Sequence, residues 1–202
     1  MSKSEVREPT QKRSVEKKQR IIQASYDLFC RQGYYKTNTA EIARQAGVST
    51  GIVYSYFHDK KDILKDVIRL YISSLSSQLQ QLLFVPVDKN NLPVFIGQLF
   101  DVFLSSHAMS LEAHNEFMAL SLLEDDLLPL FVDFESALLQ ELFVLLVAAG
   151  IPQIDLLEKL KISYGIVEHV CHDSITQKWT REEYDRMKTF AVQTIMFLLT
   201  EA

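Results

Sequence analysis

A chain of 202 residues with 48% hydrophobic content can bury a sizeable core, and its 6 Gly and 5 Pro are too few for a low-complexity, collagenous or many-turned β protein. Cys30 and Cys171 stand in different halves, which excludes a disulfide framework and points to a reducing cytoplasm. The net charge of -5 is unevenly spread: residues 1–65 hold 13 Lys and Arg against 7 Asp and Glu (+6), and the remainder 8 against 19 (-11), so a basic head sits on an acidic body.

Residues 1–13 carry Lys3, Arg7, Lys12 and Arg13 without apolar periodicity and are expected to form an arm, either a solvated tail or an extension that touches a polyanion. The stretch MSKSEVREPTQKRSVEKKQR has no apolar h-region, so no signal peptide is expected. A first helix is predicted from Ser14 to Gln32, with Ile21, Ile22, Ser25, Leu28 and Phe29 on one face and Gly33 ending it.

Thr37 to Ile63 then reads as two short helices joined by a tight turn. Asn38 caps the first and Glu41 completes a capping box. Gly47 stops it, because a residue without a Cβ enters the left-handed region at no steric cost. Ser49 is placed to cap the second, and Asp59 opens a further helix. Ile42, Ala43, Ala46, Val48, Val53 and Phe57 are small or apolar and face inward. Thr50, Gly51, Tyr54, Ser55 and Tyr56 are left outward on the second helix. They are short or hydrogen-bonding groups, the chemistry of a helix that enters a DNA major groove.

On these residues the chain resembles the TetR family of transcriptional regulators. The pattern stands as Gly33-Tyr34, Thr37-Asn38, Ile42-Ala43, Ala46-Gly47-Val48-Ser49, Gly51, Tyr54, Phe57 and Lys60, with Asn38 and Ile52 departing mildly from the family's residues. The resemblance implies an all-α fold, with an arm and helix-turn-helix domain over 1–62 and a helical ligand-binding and dimerisation domain over 63–202. It also implies that Thr37, Asn38, Tyr54 and Lys60 hold phosphates. Thr50, Gly51, Ser55 and Tyr56 are then the candidates for base edges.

A long helix is predicted from Asp59 to about Phe84, broken by Val85 to Asn91. Three apolar helices follow, beginning near Asn91, Ser110 and Asp126, rich in Phe and carrying His107 and His114 as rare polar groups. In the resembling family this region encloses the small-molecule site. Its candidates here are Phe100, Phe103, His107, His114, Phe117, Met118, Phe134 and Tyr164. A Phe-rich stripe at helical spacing reads equally as plain core.

The last two helices are predicted over Asp155 to Lys178 and Arg181 to Thr200, the second opened by the capping box Thr180-x-x-Glu183. The latter half of the final helix, from Phe190 to Leu199, is apolar nearly all round, so a second copy of the chain is expected to cover it. The uncharged run Leu142 to Ile154 is too short to span a bilayer, and no membrane partner is expected.

His169, His172 and Asp173 offer an alternative, since His172-Asp173 is similar to the metal-binding pair of all-helical HD-type phosphohydrolases. Such sites need another upstream His and a downstream Asp on facing helices, and the candidates, His107 or His114 and Asp185, have no supporting pattern. No phosphate-binding glycine loop or nucleophile motif is present, and neither a cofactor nor a resident metal is expected. The reading is a cytoplasmic, homodimeric repressor that binds double-stranded DNA at a palindromic operator and is released by an unknown small molecule.

Overall fold

The computed structural model describes residues 12–107 and 111–201, the side chains of His107 and residues 111–114 excepted. Among the described residues there are nine helices and no strand: α1 (Lys12–Gln32), α2 (Thr39–Ala46), α3 (Thr50–Tyr56), α4 (Lys60–Leu83), α5 (Leu92–His107), α6 (Leu111–Leu123), α7 (Leu128–Ala148), α8 (Leu156–Thr176) and α9 (Arg181–Thr200). The all-α expectation is met. Within the described residues, no helix is long and apolar enough to cross a membrane.

The chain divides into two compact units, Met1–Ile72 with Glu112–Leu130, and Ser73–Leu111 with Phe131–Ala202. α4 contributes to both. α6 belongs to the first unit.

In the first unit, α1 turns Ile21, Leu28 and Phe29 into a core with Ile42, Ala43 and Ala46 of α2 and Val53 of α3, all buried. Small residues where α1 and α2 meet let the two backbones approach. Ile63, Leu64, Val67 and Ile68 of α4 are fully buried, and Phe117 of α6 sets its ring edge-on to Phe29 with centroids 6.2 Å apart.

The joints of α2 follow their chemistry. Asn38 accepts the Glu41 amide at 3.0 Å while Glu41 accepts the Asn38 amide at 3.2 Å, and Gly47 closes α2 at φ 66. Ser49 departs from expectation. It stands at the N-cap of α3 in extended geometry, but its side chain makes no capping hydrogen bond. Asp59 does cap, accepting the Asp62 amide at 2.9 Å, and Asp62 accepts the His58 amide at 3.0 Å in return.

The second unit packs α5, α7, α8 and α9 around Phe100, Phe103, Leu146, Leu156 and Cys171. The Cys171 thiol points at the Phe100 carbonyl, and burial pushes its pKa up to about 12. It is packing, not chemistry. α8 starts one residue later than its Asp155 cap and ends at Thr176, two residues short of the expected end, and the Thr180/Glu183 box opens α9 as expected.

Candidate nucleic-acid interface

Seven residues of α3 make about two turns, so the helix has room for one inward and one outward face. Val53 faces in, fully buried, and Phe57 follows it. Gly51, Tyr54 and Ser55 are exposed and Thr50 is half-buried. A Cβ added at Gly51 would meet only the Ser49 hydroxyl, at 4.0 Å, so the backbone there is open to close approach by a ligand.

Tyr56 is not on this face. It lies three residues after Val53, which on a helix is the same side, and it is buried with its hydroxyl 2.6 Å from Ser14 Oγ of α1. The expectation of an outward Tyr56 is therefore corrected, and its hydroxyl ties α3 to the start of α1.

Tyr54 OH lies 3.0 Å from Thr39 Oγ1, in the first turn of α2. Asn38 and Tyr35 are also exposed. Asn38, Tyr54, Gly51 and Ser55, with the half-buried Thr39 between them, thus give a set of uncharged groups over the two helices. Thr39 was not foreseen from sequence, although a hydroxyl in the first turn of a capped helix was the available signal.

Thr37 and Lys60 sit differently from their expected phosphate-holding roles. Thr37 is 1% exposed, and its hydroxyl donates to the Gly33 carbonyl at 2.8 Å. The Lys60 ammonium turns back to the same loop. It donates to Tyr34 O at 2.8 Å and Thr37 O at 2.9 Å, and stands 4.2 Å from the Tyr34 ring centroid. Desolvation lowers its pKa, with the Glu116 carboxylate acting in the opposite sense. Both residues hold the turn between α1 and α2 together.

Part of the basic excess is also internally paired. Lys18 meets Asp66 at 2.8 Å, Lys61 meets Glu124 at 2.5 Å, and Lys65 meets Asp126 at 2.5 Å. Arg13, Lys17 and Arg20 line an open surface of α1, and an Arg20 guanidinium nitrogen comes within 3.6 Å of where a Gly47 Cβ would be. Arg20 therefore brings a cation to the turn between α2 and α3.

The effector candidates divide between the units. Phe103 and Tyr164, in edge-on contact at 5.8 Å, line a cavity of about 40 Å3 enclosed by α5, α7, α8 and α9. Phe100 is buried in the same core, and Phe134 packs against it. Phe117 lies instead in the first unit against Phe29, and Met118 of the same helix is 40% exposed. The side chains of His107 and His114 lie outside the described residues.

His169 Nε2 and His172 Nδ1 approach the Asp173 carboxylate at 3.5 and 3.4 Å on one helix. Asp173 also accepts Gln177 Nε2 at 2.8 Å, and Asp185 is paired with Arg181. Among the described residues no three His, Cys, Asp or Glu are grouped to hold a metal ion. The phosphohydrolase alternative gains no support.

Comparison with known proteins agrees with this geometry. Residues 21–67 match the family described as bacterial regulatory proteins, tetR family. The HTH-type transcriptional regulator HbdR of Aromatoleum sp. (strain CIB) is 45% identical over 71 residues, 33% of this chain and 31% of that protein. The chain thus spans about a third of this relative's length. A protein from Mesorhizobium loti MAFF303099, assigned to the TetR-family transcriptional regulators, shares the fold at TM-score 0.76 and 19% identity over 94% of this chain and 100% of that one. A transcriptional regulator of Saccharomonospora viridis, solved in complex with choline, aligns at TM-score 0.74 and 17% identity over 93% of this chain and 100% of that one. The helix-turn-helix built on Asn38, Gly47 and Gly51 thus lies in a segment, residues 21–67, that belongs to the tetR family of bacterial regulatory proteins, and the chain as a whole shares the all-helical fold of TetR-family structures.

Proposed function

We propose that the protein is a DNA-binding repressor that acts inside the cell as a homodimer and is released from a palindromic operator by a small molecule. The observation that carries this reading is the division of α3, with Val53 and Tyr56 buried and Gly51, Tyr54 and Ser55 exposed. An exposed helix face without a charged side chain is of little use for solvation, yet it matches base edges and thymine methyls. Thr39 and Tyr54, linked through their hydroxyls, with Asn38 beside them, are suited to phosphate oxygens. No catalytic role is needed for any of these groups.

The dimer would form through α8 and α9. Ile162 is 54% exposed, Phe190 65% and Phe197 57%, an apolar surface that a second copy would cover. Gly165 lies three residues after Ile162 on α8 and is exposed. Nothing lies within 4 Å of a Cβ added there, so its lack of a side chain serves no packing within the chain and suits the close approach of a partner helix.

For the effector, the cavity beside Phe103 and Tyr164 favours a neutral, apolar molecule. Its lining is hydrophobic apart from Ser163 and Tyr164, and the Ser163 hydroxyl already donates to Lys159 O at 2.7 Å. A charge buried there would find no counter-charge. About 40 Å3 is far below the roughly 300–1,000 Å3 of a drug-sized site, so binding would have to open it by moving the flexible Leu side chains around it.

Selection from a pool of random duplexes tests the reading. The full chain should enrich a two-fold symmetric sequence whose half-sites lie about one helical turn, or a multiple of it, apart. Failure to enrich any sequence, or enrichment of an asymmetric single site, would contradict it.

A further inference from the structure

Glu116 of α6 stands 82 residues from Tyr34, yet its carboxylate accepts the Tyr34 backbone N–H. The contact depends on Gly33. This residue sits at φ +89, and a Cβ there would come within 2.9 Å of both carboxylate oxygens. Lys60 holds the same turn by its other polar groups, the carbonyls of Tyr34 and Thr37. The backbone from Gly33 to Thr37 is therefore gripped between an acid on its N–H and an ammonium on its carbonyls. Asn38 follows at once and caps α2, and Thr39 reaches Tyr54 on α3.

We propose that Glu116 is a positioning residue for DNA reading: by fixing the α1–α2 turn, it sets where Asn38, Thr39 and Tyr54 stand, so that the placement of α6 governs operator affinity. This rests on the DNA-binding reading above. α6 is fastened to the reading unit at further points, through Phe117 on Phe29 and through Lys61 on Glu124. A displacement of α6 therefore acts on the same unit, with Glu116 at the point where it meets the turn that leads into the reader.

Charge and geometry predict opposite results, which makes the role testable. As a mere acid near a polyanion, Glu116 would repel DNA. Glu116→Gln would then bind more tightly and Glu116→Asp would bind as the wild type does. As a positioning group it must reach Tyr34. Glu116→Gln keeps both the length and an accepting oxygen, whereas Glu116→Asp keeps the charge and loses one methylene of reach.

The experiment titrates the full-length wild type, E116Q and E116D against the duplex selected by the wild type, at several salt concentrations, with thermal melts to verify folding. Expected are affinity within about three-fold of wild type for E116Q and a loss of about ten-fold for E116D, a size typical of coupling between sites. The salt slope should be unchanged in both, because no phosphate contact is removed. Wild-type-like binding by E116D, tighter binding by E116Q, or a slope altered by one ion would overturn the role of Glu116 alone. A wild type that enriches no duplex overturns the DNA reading, and this inference with it.

Discussion

At the scale of single residues, the turn between α1 and α2 is where side-chain identity and placement part company. Lys60 matches the family pattern, and the resemblance implies that it holds a phosphate. Folded, its ammonium is committed to two carbonyls. Lys60→Ala should therefore lower stability by about 1.5–3 kcal/mol, as expected for lost hydrogen bonds to a charged group. The change in the salt dependence of DNA binding should be well under one ion, and a full one-ion reduction would restore Lys60 to the phosphate contacts. Tyr56 is a related case with a different cause. Its position three residues after Val53 already places it on the buried side, so the helical period carried the signal and the polar hydroxyl masked it. The burial of Thr37 had no such signal, because it arises from a loop folding over its own hydroxyl.

At the scale of elements, the caps explain why the helices begin and end where they do, and they were the most legible part of the sequence. Both capping boxes, Asn38 with Glu41 and Thr180 with Glu183, form as read, since each needs only four neighbouring residues. Ser49 shows the limit of such local reading: the right residue at the right position leaves its hydroxyl out of the capping bond. Asn38→Ala should cost about 1 kcal/mol, whereas Ser49→Ala should change stability by less than about 0.5 kcal/mol. Urea titrations of the two variants decide this, and equal losses would show that Ser49 does cap in solution. The membership of α6 in the first unit could not be read from sequence at all. Its apolar periodicity fits a Phe-rich body, and only contacts across about eighty residues, such as Glu116 on Tyr34, tie it to the reader.

At the scale of the whole molecule, the proposed reader and the proposed dimer rest on different surfaces, the outward side of α3 and the exposed apolar side chains of α8 and α9. The sequence showed the excess of hydrophobic side chains on α9, and the structure shows which of them, Phe190 and Phe197, remain uncovered. Gly165→Leu tests the proposed dimer apart from the fold, because a Cβ added there meets nothing within 4 Å. It should leave the far-ultraviolet circular dichroism intact and shift the mass by light scattering from dimer towards monomer. An undiminished dimer would move the interface elsewhere. Loss of the dimer should also abolish tight operator binding, since one reader grips only a half-site.

The proposal that the exposed face of α3 reads DNA is tested most directly by measuring discrimination between the selected duplex and copies of it with single base pairs changed. The wild type should lose about 1–3 kcal/mol at symmetrically placed positions in the two half-sites. A Thr50→Ala/Ser55→Ala variant should lose that discrimination at specific positions while keeping its affinity for unrelated DNA. If the variant discriminates as sharply as the wild type at every position, the outward side of α3 does not read the sequence.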